Sequence, residues 1–106
     1  MDIYKFLTTA EGFEWDEGNV RKNEKHGVSW REAEEIFFNE PMLVVPDPRH
    51  TDDEPRFHAL GRTKDRRLLH ATFTVRDSGT KIRVISARPM HRKERVIYAQ
   101  ALEDDS

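Results

Sequence analysis

Three segments in the second half of the chain alternate apolar and polar residues, and turn-forming residues separate them. The alternating segments cover residues 56–61, 68–75 and 81–87, and the turns cover 63–67 and 77–79. A period of two is typical of strands that bury one face, and the Asp-Ser-Gly sequence of the second turn is typical of a hairpin. We therefore predict that the second half of the chain forms an antiparallel sheet.

Helix signals dominate the first half. Asp16 is suited to cap a helix over residues 17–26, which Gly27 is expected to end. Ser29 with Glu32 fits the capping box that begins a second helix of about ten residues. The first helix is polar on most sides, which predicts a position at the surface. The second is expected to turn an apolar stripe toward the core, formed by Trp30, Ala33, Ile36 and Phe37.

The remaining segments complete an α+β fold. Residues 42–45 form an apolar run that predicts a strand, and residues 46–55 contain the turn residues of an exposed loop. Residues 91–102 repeat apolar side chains at helical spacing and predict a final helix. The predicted fold class is α+β, with two N-terminal helices, an antiparallel sheet of about four strands and a C-terminal helix. A length of 106 residues suits a single domain, with residues 1–12 as an N-terminal extension.

The net charge of −2 conceals a strong asymmetry along the chain. Residues 1–55 contain six basic and fourteen acidic residues, whereas residues 56–106 contain twelve basic and six acidic ones. Between Arg56 and Arg95 the twelve basic residues stand against three acidic ones. Such a division indicates a face that binds a polyanion, although charges neutralised across the surface of the fold would give the same counts.

Alternation predicts two different faces for the sheet. One is apolar and is expected to pack in the core, with Phe57, Ala59, Leu69, Ala71, Phe73 and Val75. The other is rich in hydrogen-bond donors, with Arg56, His58, Arg62, His70, Thr72 and Thr74. Arg83 is expected to join this polar face because it alternates with Ile82 and Val84 in the last strand. Arginine and histidine concentrated on one wet face predict a basic binding surface.

These residue types suit RNA cleavage without a metal. The reaction needs a base for the 2′-hydroxyl, cations for the charge that develops on phosphorus, and an acid for the leaving oxygen. Histidine suits the first and last roles because it titrates near neutral pH, so His58 and His70 are the candidates by position, with Glu54 and Glu94 as carboxylate alternatives. Arginine suits the second role because its planar guanidinium meets phosphate oxygens in pairs. The candidate arginines, equally suited to structural ion pairs with nearby acids, are Arg83, Arg88 and Arg95.

Other chemistries have less support. His50, Glu54 and His58 have the spacing of three ligands on one helix face, but Pro55 lies inside that span, so no metal site is predicted. The chain has no cysteine, no glycine-rich phosphate loop and no Gly-x-Ser-x-Gly motif, and no cofactor is expected. No apolar run approaches the ~20 residues that span a membrane, and we expect a cytoplasmic protein.

Five short segments occur in an order and spacing that match a known family. They are residues 13–16 (FEWD), 23–30 (NEKHGVSW), 54–56 (EPR), 82–88 (IRVISAR) and 92–95 (RKER), with Gly61 and Tyr98 at fitting positions. Together these segments span residues 13–98 and resemble the BrnT toxins.

The resemblance implies a fold similar to that of RelE-type ribonucleases and a role as the toxin of a type II toxin–antitoxin pair, which inhibits translation and growth by cleaving RNA. The implied partner is a BrnA-like antitoxin with a ribbon-helix-helix DNA-binding part. The two proteins are expected to form a hetero-oligomer that reaches operator DNA only through the antitoxin. Carried over by motif, Arg83 and Arg88 are the implied phosphate contacts. Four further residues are implied to line the site or hold its shape, namely Glu94, Arg95, Lys25 and His26.

The combined prediction is an endoribonuclease toxin with two groups of site residues. The catalytic group is Arg83, Arg88, His58, Glu94 and Arg95. The RNA-binding group is Lys25, His26, Arg56, Arg62 and His70. The resemblance does not extend to the two histidines of the sheet, which are predicted from strand alternation alone. Two alternatives remain open, a catalytically silent member that binds its antitoxin and tunes repression, and a nucleic-acid-binding module without enzymatic activity.

Overall fold

The structure is a computed structural model that describes Leu7, residues 10–49 and residues 54–104. The elements in chain order are β1 (Gly12–Phe13), α1 (Glu17–Glu24), α2 (Trp30–Glu35), β2 (Leu43–Pro46), β3 (Arg56–Arg62), β4 (Leu68–Arg76), β5 (Lys81–Pro89) and α3 (Arg92–Asp104). The predicted α+β class is confirmed, including the C-terminal helix. Much of the predicted extension over 1–12 and part of the predicted loop over 46–55 lie outside the described residues.

The strands form one sheet in the order β1-β5-β4-β3-β2. Strands β2 to β5 pair antiparallel with their neighbours along the chain, as the alternation and the turns predict. β1 adds a parallel strand at the edge of β5, where Gly12 lies opposite Lys81 and Phe13 lies opposite Ile82. The sheet is therefore mixed and has five strands where about four were predicted, and the short strand that the alternation of residues 13–15 indicates is β1 at its edge.

The core lies between one face of the sheet and α2. Phe57, Ala59, Leu69, Ala71 and Phe73 are buried there, as the alternation predicts. The chain of α2 approaches β3 so closely that a Cβ atom on Gly61 would lie 2.8 Å from the Cβ of Ile36. This contact fixes α2 on the core face and leaves the opposite face of the sheet free for other side chains.

The apolar stripe of α2 is only partly in the core. Ala33 and Ile36 are buried, but Trp30 is 41% exposed and the Arg31 guanidinium lies 5.2 Å from its ring centre. The prediction that Trp30 packs in the core is therefore wrong. Trp30 is the first residue after the Ser29 cap, so it belongs to the first turn of α2, which lies at the rim of the core. α2 is also shorter than predicted, with six residues instead of about ten.

α1 is attached to the sheet by polar side chains. Asp16 caps it and Gly27 has the positive φ of 72° that ends it, as predicted. The helix lies at the surface, as predicted, but it turns one polar face inward, where Asn19 and Asn23 are buried. β1 pairs with only the first residues of β5, so the backbone further along β5 lacks a strand partner on that side. The two asparagines take its place: Asn19 Nδ2 donates to Val84 O at 3.0 Å, and Ala87 N donates to Asn23 Oδ1 at 2.7 Å.

A β-bulge in β5 determines which of its side chains share the polar face. Thr72 lies opposite Ser86 and Phe73 lies opposite Val84, so Ile85 is an extra residue in β5. Arg83 and Arg88 are five residues apart and would lie on opposite faces of a regular strand. The extra residue shifts the alternation, so Arg83 lies opposite Thr74 and Arg88 opposite His70. The polar face predicted for Arg83 is thus confirmed, and Arg88 joins it.

Candidate active site

A cavity of about 380 Å³ lies on the polar face of the sheet, beside α3. Its wall combines aliphatic side chains from β2, β3 and α3 with three titratable groups. The lining residues are Leu43, Val45, His58, Leu60, His70, Glu94 and Ile97. α3 is fixed next to this cavity by Tyr98, whose buried side chain donates a hydrogen bond from its hydroxyl to Pro41 O at 2.6 Å.

Two histidines meet in this cavity. His58 lies opposite Thr72 and His70 lies opposite Leu60, so the histidines are diagonal neighbours on β3 and β4. His58 Nδ1 lies 3.1 Å from His70 Nε2 and 3.2 Å from Thr72 Oγ1. The alternation of the sequence predicted a common face, and the register confirms it. We call His58 and His70 the histidine pair.

Asp47 forms the far end of this hydrogen-bonded row. Its Oδ2 atom lies 3.0 Å from His58 Nε2, and its side chain is only 4% exposed. The sequence predicted that residues 46–55 form an exposed loop, and this is wrong for Asp47. The residue follows β2 directly, and its N–H donates to Arg56 O at 2.8 Å, which continues the pairing of β2 with β3 and turns the carboxylate inward.

An ion pair connects Glu94, on the α3 side of the cavity wall, to Arg88 on β5. Arg88 Nη1 and Nη2 donate to Glu94 Oε1 and Oε2 at 2.8 and 2.9 Å. Glu94 Oε1 also accepts a hydrogen bond from His91 N at 2.8 Å, at the start of α3. The hydrogen bonds from Arg88 are the main reason that the pKa of Glu94 is lowered to about 2. Glu94 is therefore an ionised carboxylate at neutral pH.

His70 is neutral at the pH of a cell. Burial disfavours its imidazolium, the charge of Arg88 acts in the same direction, and together they lower the pKa of His70 to about 4. Glu94 opposes this effect. A neutral imidazole next to a fixed guanidinium can accept a proton while the guanidinium binds an anion. Perturbed titration of this kind is common at catalytic sites.

Arg83 lies at the other end of the polar face, away from the histidine pair. Its Nη1 atom donates to Glu14 Oε1 at 3.1 Å and lies 2.9 Å from Asp16 Oδ2. The hydrogen bond from Arg83 contributes most to lowering the pKa of Asp16. The register places Arg83 and Arg88 opposite Thr74 and His70, which corresponds to a separation of about 13 Å along the sheet. In this structure the two guanidinium groups are held apart by different carboxylates, Arg83 by Glu14 and Asp16 and Arg88 by Glu94.

The other predicted arginines of the site lie around this face. Arg95 Nη1 donates to Met90 O at 2.8 Å, and Arg62 Nη2 donates to Glu40 O at 2.9 Å. Arg56 lies opposite Thr74 and is partly buried, with no hydrogen-bond partner for its Nε atom in the described structure. These three side chains are near the sheet, but none of them lines the cavity.

Lys25 and His26 are exposed just beyond the end of α1. Among the hydrogen bonds and ion pairs of the described residues, none joins either side chain to the histidine pair or to the Arg88–Glu94 ion pair. The structure therefore does not bring them into the same site. His50, one of the three residues of the metal-ligand spacing, lies outside the described residues. In the part of the chain that is described, no group of three or more histidine or carboxylate side chains is arranged to hold a metal ion.

Fold and site together define a small α+β protein whose polar sheet face combines neutral histidine, arginine and an ionised carboxylate around one cavity. None of the described helices is long and apolar enough to cross a membrane. Residues 15–94 match the model of the BrnT family, described as the ribonuclease toxin of type II toxin–antitoxin systems. The chain belongs to this family, which confirms the resemblance seen in the sequence. A comparison with curated proteins found no match.

Proposed function

We propose that the protein is a metal-independent endoribonuclease that inhibits growth by cleaving RNA at the cavity of the polar face. The observation that supports this most directly is the position of the histidine pair beside the Arg88–Glu94 ion pair. A proton acceptor, His70, and a cation for phosphate, Arg88, are therefore adjacent, opposite one another in the register of β4 and β5. These are the groups that cleavage by the 2′-hydroxyl of RNA requires.

In the proposed reaction the histidine pair takes the proton from the 2′-hydroxyl, and O2′ forms a bond to phosphorus. The bond from phosphorus to O5′ breaks, and the pair returns the same proton to O5′. The products are a 2′,3′-cyclic phosphate and a 5′-hydroxyl. Because the pKa of His70 is lowered to about 4, this ring is unprotonated at neutral pH and is available as the acceptor.

Arg88 is proposed to bind the scissile phosphate and to stabilise the charge that develops on it. Its side chain is 26% exposed, so we expect a phosphate to reach the guanidinium, in competition with Glu94, to which both Nη atoms donate. Glu94 is ionised and has no proton to give, so we assign it the role of orienting Arg88 rather than that of general acid.

The outer basic residues are proposed to bind phosphates on either side of the scissile one. Arg83 at about 13 Å from Arg88 along the sheet is suited to a phosphate about two nucleotides away. The other members of this group are proposed to make further phosphate contacts, from the two ends of β3, from α3 and from the residues beyond α1, and they are Arg56, Arg62, Arg95, Lys25 and His26.

The test is cleavage of a labelled RNA by the purified protein in the presence of a chelator. We expect the wild type to cleave, and we expect Arg88→Ala and His70→Ala each to reduce the rate by about 10²-fold or more. Arg31→Ala is the matched control, because Arg31 lies on α2 at the opposite face of the sheet, and it should retain the wild-type rate. Cleavage that needs added divalent metal, or that survives both site substitutions, would contradict the proposal.

We further propose that a BrnA-like ribbon-helix-helix antitoxin forms a hetero-oligomer with the toxin by covering the same face, and that operator DNA is bound only through the antitoxin. Two observations support this location. Val45 and Ile97 on the cavity wall are 57% and 55% exposed, which offers apolar area to a protein partner, and the arginines offer attraction to acidic side chains. Arg83→Glu with Arg88→Glu should weaken antitoxin binding and reduce its salt dependence. Tight antitoxin binding by a wild type that cleaves no RNA would instead identify a silent co-repressor.

A further inference from the structure

Asp47 is held in place more firmly than its position in a turn requires. Its Oδ1 atom accepts hydrogen bonds from Arg49 N at 3.0 Å and from Arg49 Nε at 3.1 Å. Its Oδ2 atom accepts from Arg49 Nη2 at 3.1 Å and faces His58 Nε2 at 3.0 Å. A buried carboxylate is stable only when donors of this kind compensate its charge. The hydrogen bonds from Arg49 keep the pKa of Asp47 well below its usual range, so the group is an anion at neutral pH.

An ionised carboxylate can only accept hydrogen bonds, and this fixes where the protons of the histidine pair are. His58 must carry a hydrogen on Nε2 to bond with Asp47. In the neutral ring, Nδ1 of His58 is then the unprotonated nitrogen, and it accepts from His70 Nε2 and from the hydroxyl of Thr72. Since His70 then has its hydrogen on Nε2, its Nδ1 atom is the one that can take a proton. The charge of Asp47 thus selects the tautomer of both rings.

We propose that Asp47 is a positioning residue of the ribonuclease site, which acts through His58 to fix the protonated nitrogen of His70. This inference rests on the proposed function, since it concerns the same histidine pair. Asp47 itself is one ring removed from His70, and Arg49 holds its carboxylate in position. Neither the spacing nor the alternation of the sequence indicates this residue.

The charged and titratable groups around the pair come from every neighbouring element. His58 is flanked by Asp47 and, behind it, by Arg49, both from the segment that follows β2. His70 on β4 is flanked by Arg88 from β5 and by Glu94 from α3. Removal of the Asp47 charge leaves two cations and one carboxylate near the rings. The imidazolium form of the pair should then be harder to reach, and the acid limb of the pH–rate profile should move to lower pH.

Asp47→Asn is the informative substitution because it keeps the size of the side chain. Its single oxygen can satisfy Arg49 N and Nε, which places the NH₂ group toward His58 Nε2. A donor at that position requires Nε2 to be the unprotonated nitrogen, so His58 should change to the Nδ1–H tautomer. We expect kcat to fall by about 10²-fold or more, because the histidine pair then enters the reaction in the wrong tautomer. KM should stay within about threefold of the wild type. Asp47→Glu, which restores the carboxylate, should recover part of the rate.

The experiment combines RNA cleavage between pH 3 and 8, a range that includes the acid limb, with ring ¹⁵N NMR spectra of the histidines recorded without RNA. Asp65→Asn in the exposed turn between β3 and β4 is the control with the same change of charge. A wild type in which His58 carries its hydrogen on Nδ1 only, or an Asp47→Asn variant with unchanged kcat, pH profile and ¹⁵N shifts, would overturn the proposed role. Absence of cleavage by the wild type would instead overturn the proposed function, and the spectra would still decide whether Asp47 fixes the tautomers.

Discussion

Arg88 and Glu94 form a two-point ion pair, with both guanidinium Nη atoms donating to both carboxylate oxygens at 2.8 and 2.9 Å. Arg88 is the penultimate residue of β5 and Glu94 lies in the first turn of α3, so the pair connects the sheet to the helix that borders the cavity. Charge-assisted hydrogen bonds of this geometry contribute more than neutral ones. The ion pair thus orients Arg88, the residue proposed to bind the phosphate, and helps to position α3.

Glu94→Gln should reduce stability in a pH-dependent manner. The folded-state pKa of about 2 lies below the ordinary value of 4.5, so the stabilisation is complete above pH 4.5 and is lost as the pH falls toward 2. We expect the variant to lose about 1 to 2 kcal/mol of unfolding free energy at pH 7. Urea denaturation at pH 7 and pH 3 measures the difference. The exposed Glu24→Gln change is the control, and an equal loss at both pH values for Glu94→Gln would contradict the prediction.

His70 should destabilise the folded protein below pH 6.5. Its folded-state pKa of about 4 lies below the ordinary 6.5, so the unfolded chain takes up the proton first as the pH falls. The loss of unfolding free energy should grow to roughly 1 to 3 kcal/mol as the pH falls from 6.5 to 4, and it should be absent at pH 7.5. His70→Gln should flatten the dependence of the urea midpoint on pH in that window. His26→Gln, which removes an exposed histidine in the same way, is the control.

Much of the fold could be predicted from the sequence because local patterns determine it. The alternation of β3 and β4 gave the two faces correctly, and it placed His58 and His70 together because strands in a hairpin keep their phase. The capping residues Asp16 and Ser29 gave the start of each N-terminal helix, since a cap acts on amides within the next three residues.

The rest of the site depends on contacts that are distant in sequence or change the phase of a strand. The bulge at Ile85 brings Arg88 to the polar face, and no turn or glycine marks it. Asp47 is buried because the backbone continues to pair with β3 after Pro46, although its neighbours are typical turn residues. Arg83 forms an ion pair with Glu14, almost seventy positions earlier in the chain. A count of charges along the sequence does not reveal such a pair.

Asn23 should be among the polar residues on which stability depends most. Its Oδ1 atom is the acceptor for Ala87 N at 2.7 Å and the residue is completely buried. Asn23→Ala leaves that N–H without a partner inside the protein, and we expect a loss of about 2 kcal/mol in unfolding free energy. Lys22→Ala, on an exposed position of the same helix, is the control. A loss as small as that of the control would show that water replaces the side chain at the edge of β5.

The carboxylates that pair with Arg83 should limit how strongly the protein binds RNA. Arg83 is 18% exposed and is already bonded by Glu14 and Asp16, so a phosphate must compete with two anions for it. Glu14→Gln with Asp16→Asn removes both charges, and asparagine still caps α1 well. With a cleavage-deficient Arg88→Ala background, RNA should bind more tightly in the double variant.

The salt dependence of RNA binding distinguishes a new phosphate contact made by Arg83 from a general effect of the change in net charge. One additional phosphate contact should steepen the plot of log Kd against log salt by about 0.7 for a single strand. Glu11→Gln with Glu17→Gln also removes two negative charges, from exposed positions nearby. This control variant should bind RNA only slightly more tightly, without that change of slope. Equal slopes in the two double variants would mean that Arg83 stays out of reach of RNA and serves only to anchor the start of α1 to β5.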